Sequence, residues 1–253
     1  MRIMKSKGND INITYLNLAA QTPSIELNLS LSEKIHREDP SKKHYLFMCD
    51  KALKSCSVNV FNSKRVCEIC THKAKKGFKV FNKRNPHSEL IKIKRKDLFS
   101  KKIDRTKFDS NTVNEFLLGT HSTIGSQLRL DDMNLLDNRW KRVKEKMFES
   151  SFALYSYFDS FISRPELKTK NFIIFNGRLS CSRPLIEISK HHNVNYYLFD
   201  AAVNGKVPMY SKNEMIHSIE FEKRNSVVTY LKHFKNSKEL AQQYFKYKRK
   251  QKK

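Results

Sequence analysis

Four cysteines run as C-x6-C-x10-C-x2-C through Cys49, Cys56, Cys67 and Cys70. Two thiolates separated by two residues can face one ion, and Cys67-Glu68-Ile69-Cys70 is such a pair. With Cys49 and Cys56 as the other two ligands, and His72 in reserve, the expectation is a structural zinc. It would staple a charged segment that has few apolar anchors of its own. The first pair is more widely spaced than in a standard zinc ribbon. Unliganded thiols are the competing reading, since stable disulfides do not suit a reducing compartment.

A second group of reactive residues lies between Asn171 and Asp200, NFIIFNGRLSCSRPLIEISKHHNVNYYLFD. Asn176-Gly177-Arg178 interrupts an apolar run with turn-forming types, Arg183 follows at the start of a helical stripe, and Asp200 closes the next apolar run. A guanidinium beside a helix N-terminus suits phosphate or carboxylate. The alternative is an Arg178–Asp200 ion pair that holds the rim together. Cys181 reads as a small residue at the helix start.

These residues need a scaffold to position them. Phe172 to Phe175 is short, apolar and β-branched enough for a strand buried on both faces, and Tyr196 to Phe199 is a second. With a helix from about Ser180 to His192 between them, they make a right-handed β-α-β unit. Ligands of such sheets bind beyond the carboxyl ends of the strands, so Asn176, Gly177, Arg178 and Asp200 belong to the working rim. Further strands are expected at 11–17 and 44–48, and helices at 24–36, 108–118 and across 131–162. A last strand at 227–234 and a helix from Ser237 to about Tyr247 complete the reading. The fold class is therefore α/β, a Rossmann-like parallel sheet with helices on both faces. One domain spans 1–253, with a cysteine-bearing basic insertion over 49–107.

Composition narrows the function classes. Fifty Lys and Arg against 25 Asp and Glu give a net charge of +25. Sixteen basic residues against four acids fall between Lys64 and Lys107, and six of the eight residues from Lys246 to Lys253 are basic. Such fields draw polyanions: nucleic acid, anionic headgroups or lipid pyrophosphates. Lys outnumbers Arg by 36 to 14, which also fits a mostly solvated basic surface. No apolar stretch is long enough to span a bilayer, and no signal-type apolar region follows the N-terminus. A cytoplasmic protein is expected, with attachment to the inner face of the membrane through the basic tail as an alternative. The six glycines form neither a dinucleotide fingerprint nor a Walker loop, so no cofactor is required by a visible motif.

The FNGR strand end, the helix that follows with its Arg, and the closing acid resemble the N-terminal half of bacterial capsule and surface-polysaccharide glycosyltransferases of the GT-B type. The opening ITYLNLAAQTPSIELNLSLSEKI, the strand HYLFMCD and the Gly/Ser-rich LGTHSTIGSQLRL occur in the order of that family. The closing acid is Asp200 where Glu is expected. The resemblance implies transfer of a sugar from a nucleotide-sugar to a glycan or lipid-linked acceptor. It also implies that this chain carries the acceptor-side domain and needs a second, nucleotide-sugar domain. His121, on a loop facing the cleft, or Asp200 would be the base, with Ser122 and Thr123 contacting sugar hydroxyls. The rival reading is a cytoplasmic nucleic-acid-binding protein that uses the cysteine knuckle and the basic segment. Aromatic interleaving in that segment is thin.

Overall fold

The computed structural model describes residues 9–221 except 22, 101, 131, 202–207 and 219, together with 239 and 242. The expected strand at 227–234 and helix at 237–247 lie outside the described residues, apart from 239 and 242.

Six strands form one sheet: β1 (Asn9–Tyr15), β2 (Lys43–Cys49), β3 (Ser88–Ile93), β4 (Leu167–Phe175), β5 (Asn195–Ala201) and β6 (Pro208–Lys212). Their order is β3-β2-β1-β4-β5-β6. The first five are parallel, and β6 pairs antiparallel with β5. The chain returns to the middle of the sheet between β1 and β4, which makes their carboxyl ends the topological switch point.

Helices cover both faces. On one side lie α1 (Ser24–Glu38) and α2 (Lys64–Arg84). On the other lie α3 (Arg95–Phe99), α4 (Ser110–Leu128), α5 (Asn138–Ile162) and α6 (Arg183–His191). The strands dictate this by alternation. Ile11, Ile13 and Tyr15 of β1 and Phe172 and Ile174 of β4 pack with Phe158 and Phe161 of α5 and Leu185 and Ile188 of α6. The intervening Ile173 and Phe175 pack with Leu31 and Ile35 of α1, and Leu46 and Met48 of β2 pack with Ala74 and Phe81 of α2. The expected α/β sheet with helices on both faces is what forms.

Two sequence readings need correction. Residues 49–107 are not an insertion but the β2-α2-β3 crossover, followed by α3 and a 3-10 turn at Arg105–Lys107. Its helix is held by a narrow stripe, Thr71, Ala74 and Phe81, with half-buried Cys70 and Phe78 alongside, a stripe sparse enough to be overlooked among the lysines. The GTHSTIGS stretch is not a loop but the middle of α4. Asp109 caps that helix by accepting from the Thr112 amide at 2.9 Å, and the helix runs through both glycines to Arg129 in the left-handed region. Gly119 permits close approach there, because a Cβ would lie 2.8 Å from Arg183 Cγ and 3.3 Å from the Leu179 carbonyl oxygen.

Candidate functional site at the carboxyl edge of the sheet

The turn after β4 is tight because two successive residues take the left-handed conformation, Asn176 at φ 64° and Gly177 at φ 85°. A Cβ on Gly177 would also meet Leu198 Cδ1 at 2.6 Å. The turn thereby holds the Asn176 side chain over the end of β5. Asn176 Oδ1 accepts from the Arg178 amide at 3.2 Å, which orients the carboxamide, and its Nδ2 donates to Asp200 Oδ2 at 2.5 Å. His217 Nε2 lies 2.9 Å from the same carboxylate oxygen and 3.2 Å from Asn176 Nδ2. Asn176, Asp200 and His217 thus form one cluster where β4 and β5 end, with Asp200 and His217 part-buried.

Beside it, at the switch point, lies a buried polar nest. Asn17 follows β1, and its Nδ2 reaches Ser182 Oγ at 3.2 Å and Cys181 Sγ at 3.5 Å. Ser57 Oγ is 3.0 Å from Cys181 Sγ and 3.2 Å from Ser180 Oγ, and the Ser180 amide donates to Thr123 Oγ1 at 2.9 Å. Asn17 Oδ1 is buried with no partner. A water-sized cavity of about 30 Å³ adjoins this nest, lined by Tyr15, Asn17 and all five cysteines.

The cysteines do converge on one place, but not as a tetrahedral centre. Among the described residues, one group of three His, Cys, Asp or Glu side chains has its ligand atoms within 4.8 Å of one another, and it contains no cysteine. Cys49 ends β2, Cys56 sits in the following loop, and Cys67 and Cys70 lie on α2, so the four thiols surround the cavity rather than share a point. Burial pushes the Cys49 thiol up to about 11 and raises Cys56 and Cys70 as well, which keeps them protonated.

The remaining expected site residues are spread more widely. Arg178 is exposed and makes no ion pair with Asp200, whose carboxylate is taken by Asn176 and His217. Arg183 pairs with Glu115 and ties α6 to α4. Ser122 is half-buried on α4, and its carbonyl accepts from Ser126. Thr123 alone of the α4 candidates reaches the switch point. His121 lies two residues before it, half-buried, with Nε2 buried and unpartnered. Burial, and then the Lys144 charge on α5, hold its pKa below the usual range. His217 escaped the sequence reading, because the EMIHS segment around it has no periodicity and no motif to mark it. Asn17 was expected only as the last residue of the first strand, which ends at Tyr15, and not as a site residue.

No family model matches this chain, and no curated protein does. Among solved structures, a CDPS (cyclodipeptide synthase) from Fluoribacter dumoffii superposes with a TM-score of 0.43 over 80% of this chain and 91% of that one, at 6% identity. A likeness at that level assigns no chemistry to these residues.

Proposed function

We propose that this chain is a Rossmann-like transferase domain of the glycosyltransferase type, and that it binds its substrates at the carboxyl edge of the sheet. The observation that carries the reading is the Asn176–Asp200–His217 cluster beside the switch point. A carboxylate bonded to Nε2–H fixes the imidazole and leaves Nδ1 as the basic atom. In glycosyl transfer His217 would take the acceptor hydroxyl proton as that oxygen attacks the anomeric carbon. The bond to the nucleoside diphosphate breaks, and the diphosphate leaves with the electron pair. The exposed Arg178 guanidinium and the +25 net charge favour phosphate-bearing substrates. His217, in this reading, takes the role that the resemblance gave to His121 or Asp200.

The test is sugar transfer, or hydrolysis of nucleotide-sugars, by the purified chain with and without a separately supplied nucleotide-sugar domain. Release of nucleoside diphosphate that falls at least a hundredfold in His217→Ala supports the reading. Release that is unchanged in both His217→Ala and Asp200→Asn refutes it.

A second reading rests on α2. Lys64, Arg65, Lys75, Lys76, Lys79 and Lys83 are exposed on this helix, and none pairs with an acid among the described residues. That row suits a nucleic-acid backbone. A gel shift lost steeply between 50 and 200 mM salt (roughly 10³-fold or more for six phosphate contacts), and lost when Lys75, Lys76 and Lys79 are replaced by Ser, would favour it.

A further inference from the structure

At the opposite edge of the sheet, the last turn of α5 and the end of α6 bring together Asp159, His191 and His192. Each residue offers one ligand atom, and the three atoms all lie within 4.8 Å of one another. From this geometry we infer a site for a borderline divalent metal ion, zinc or nickel by its donor set, that clamps α5 to α6.

The donors suit such an ion. Two imidazole nitrogens and one carboxylate oxygen are the ligands that Zn²⁺ and Ni²⁺ take readily, and three of them leave a position for water. In a tetrahedral zinc site with bonds of about 2.0–2.1 Å, ligand atoms stand about 3.4 Å apart. His192 Nε2 and Asp159 Oδ1 are already 2.8 Å apart. The two histidine rings meet edge to face, with centroids 5.0 Å apart.

The backbone that carries the ligands is fixed. The Ser163 amide closes the end of α5 on the Asp159 carbonyl, and the His192 amide closes the end of α6 on the Ile188 and Lys190 carbonyls. The charge around the site is mixed: Asp159 and Asp109 act on Tyr155, one turn before Asp159, while Glu187 pairs with Lys190 at 2.7 Å. His191 is exposed, so an ion has access from solvent.

The experiment is thermal unfolding of the full chain, stripped with EDTA and then titrated with Ni²⁺ or Zn²⁺. At a hundredfold excess over Kd, the midpoint should rise by roughly 5–10 °C. His191→Ala and Asp159→Asn, at exposed or half-exposed positions, should fold and lose that rise. Co²⁺ serves as a second probe, because nitrogen and oxygen ligands give visible bands without the strong near-ultraviolet band of a thiolate. The proposal is overturned if the midpoint does not move, if both variants keep the full rise, or if bound Co²⁺ carries the thiolate band alone.

Discussion

His44 is the residue whose chemistry the fold alters most clearly. It sits in β2 with no exposure, and its Nε2 lies 2.7 Å from Thr14 Oγ1, which in turn is 2.8 Å from Ser32 Oγ of α1. Burial, and then the neighbouring His36, push its pKa down to about 3. The unfolded chain binds that proton near pH 6.5. Between pH 3 and 6.5 the unfolded state therefore holds more protons, and stability rises with pH. The contribution is complete above about 6.5 and is lost as pH falls toward 3. His36 is lowered in the same direction, first by burial and then by His87, and adds to the slope. Urea unfolding at pH 4.5, 5.5 and 6.5 should show stability increasing with pH, by about 1.4 kcal/mol per unit from His44 below pH 5.5, with His36 adding in the same direction. His44→Gln should flatten that slope, and an unchanged slope would contradict the assignment. At the candidate site the same scale explains what could be read in advance. Asn176, Gly177 and Asp200 were legible because turn chemistry and strand ends are local. Their partner His217 was not, because only the fold brings a residue 17 positions beyond Asp200 back to it.

Between elements, small residues decide how closely helices sit. Gly119 in α4 lies against the Arg183 stem and the Leu179 carbonyl of the turn before α6. Alanine there would gain about 1 kcal/mol of helix propensity, yet it must displace Arg183 from Glu115. The net expected from denaturant unfolding is a loss of about 1–3 kcal/mol, as for other overpacked contacts. A gain would mean that α4 and α6 are not docked as described. Gly177→Ala should cost at least as much, since it adds a left-handed strain to a 2.6 Å clash with Leu198. The four central strands were readable from short apolar runs such as FIIF, α5 from its long stripe, and the first half of α4 from its own. The outer strands β3 and β6, helix α2 and the second half of α4 were not. The buried stripe of α2 is three residues wide in a lysine-rich run, and α4 carries the glycines and serines that usually mark loops.

Over the whole molecule, a sheet ordered β3-β2-β1-β4-β5-β6 puts one ligand crevice at the ends of β1 and β4 and leaves the other edge for structural roles. Class and topology of this kind follow from the succession of β-α-β units, so the parallel sheet could be anticipated from sequence. The cysteines could not be assigned that way. Their spacing suggests a knuckle, while the fold distributes them around a cavity whose thiols burial keeps protonated. No helix among the described residues is long and apolar enough to cross a membrane.

In the function proposed above, substrate binds at the carboxyl edge. Amide chemical-shift mapping of the deuterated full chain, titrated with UDP- and GDP-sugars and with a soluble isoprenyl pyrophosphate, tests it most directly. Shifts should concentrate at Asn17, Asn176 to Ser182, Asp200 and His217, and be lost in Asp200→Asn. Shifts confined to α2, or to the far edge near His191, would contradict it, as would a panel that moves no resonance at all.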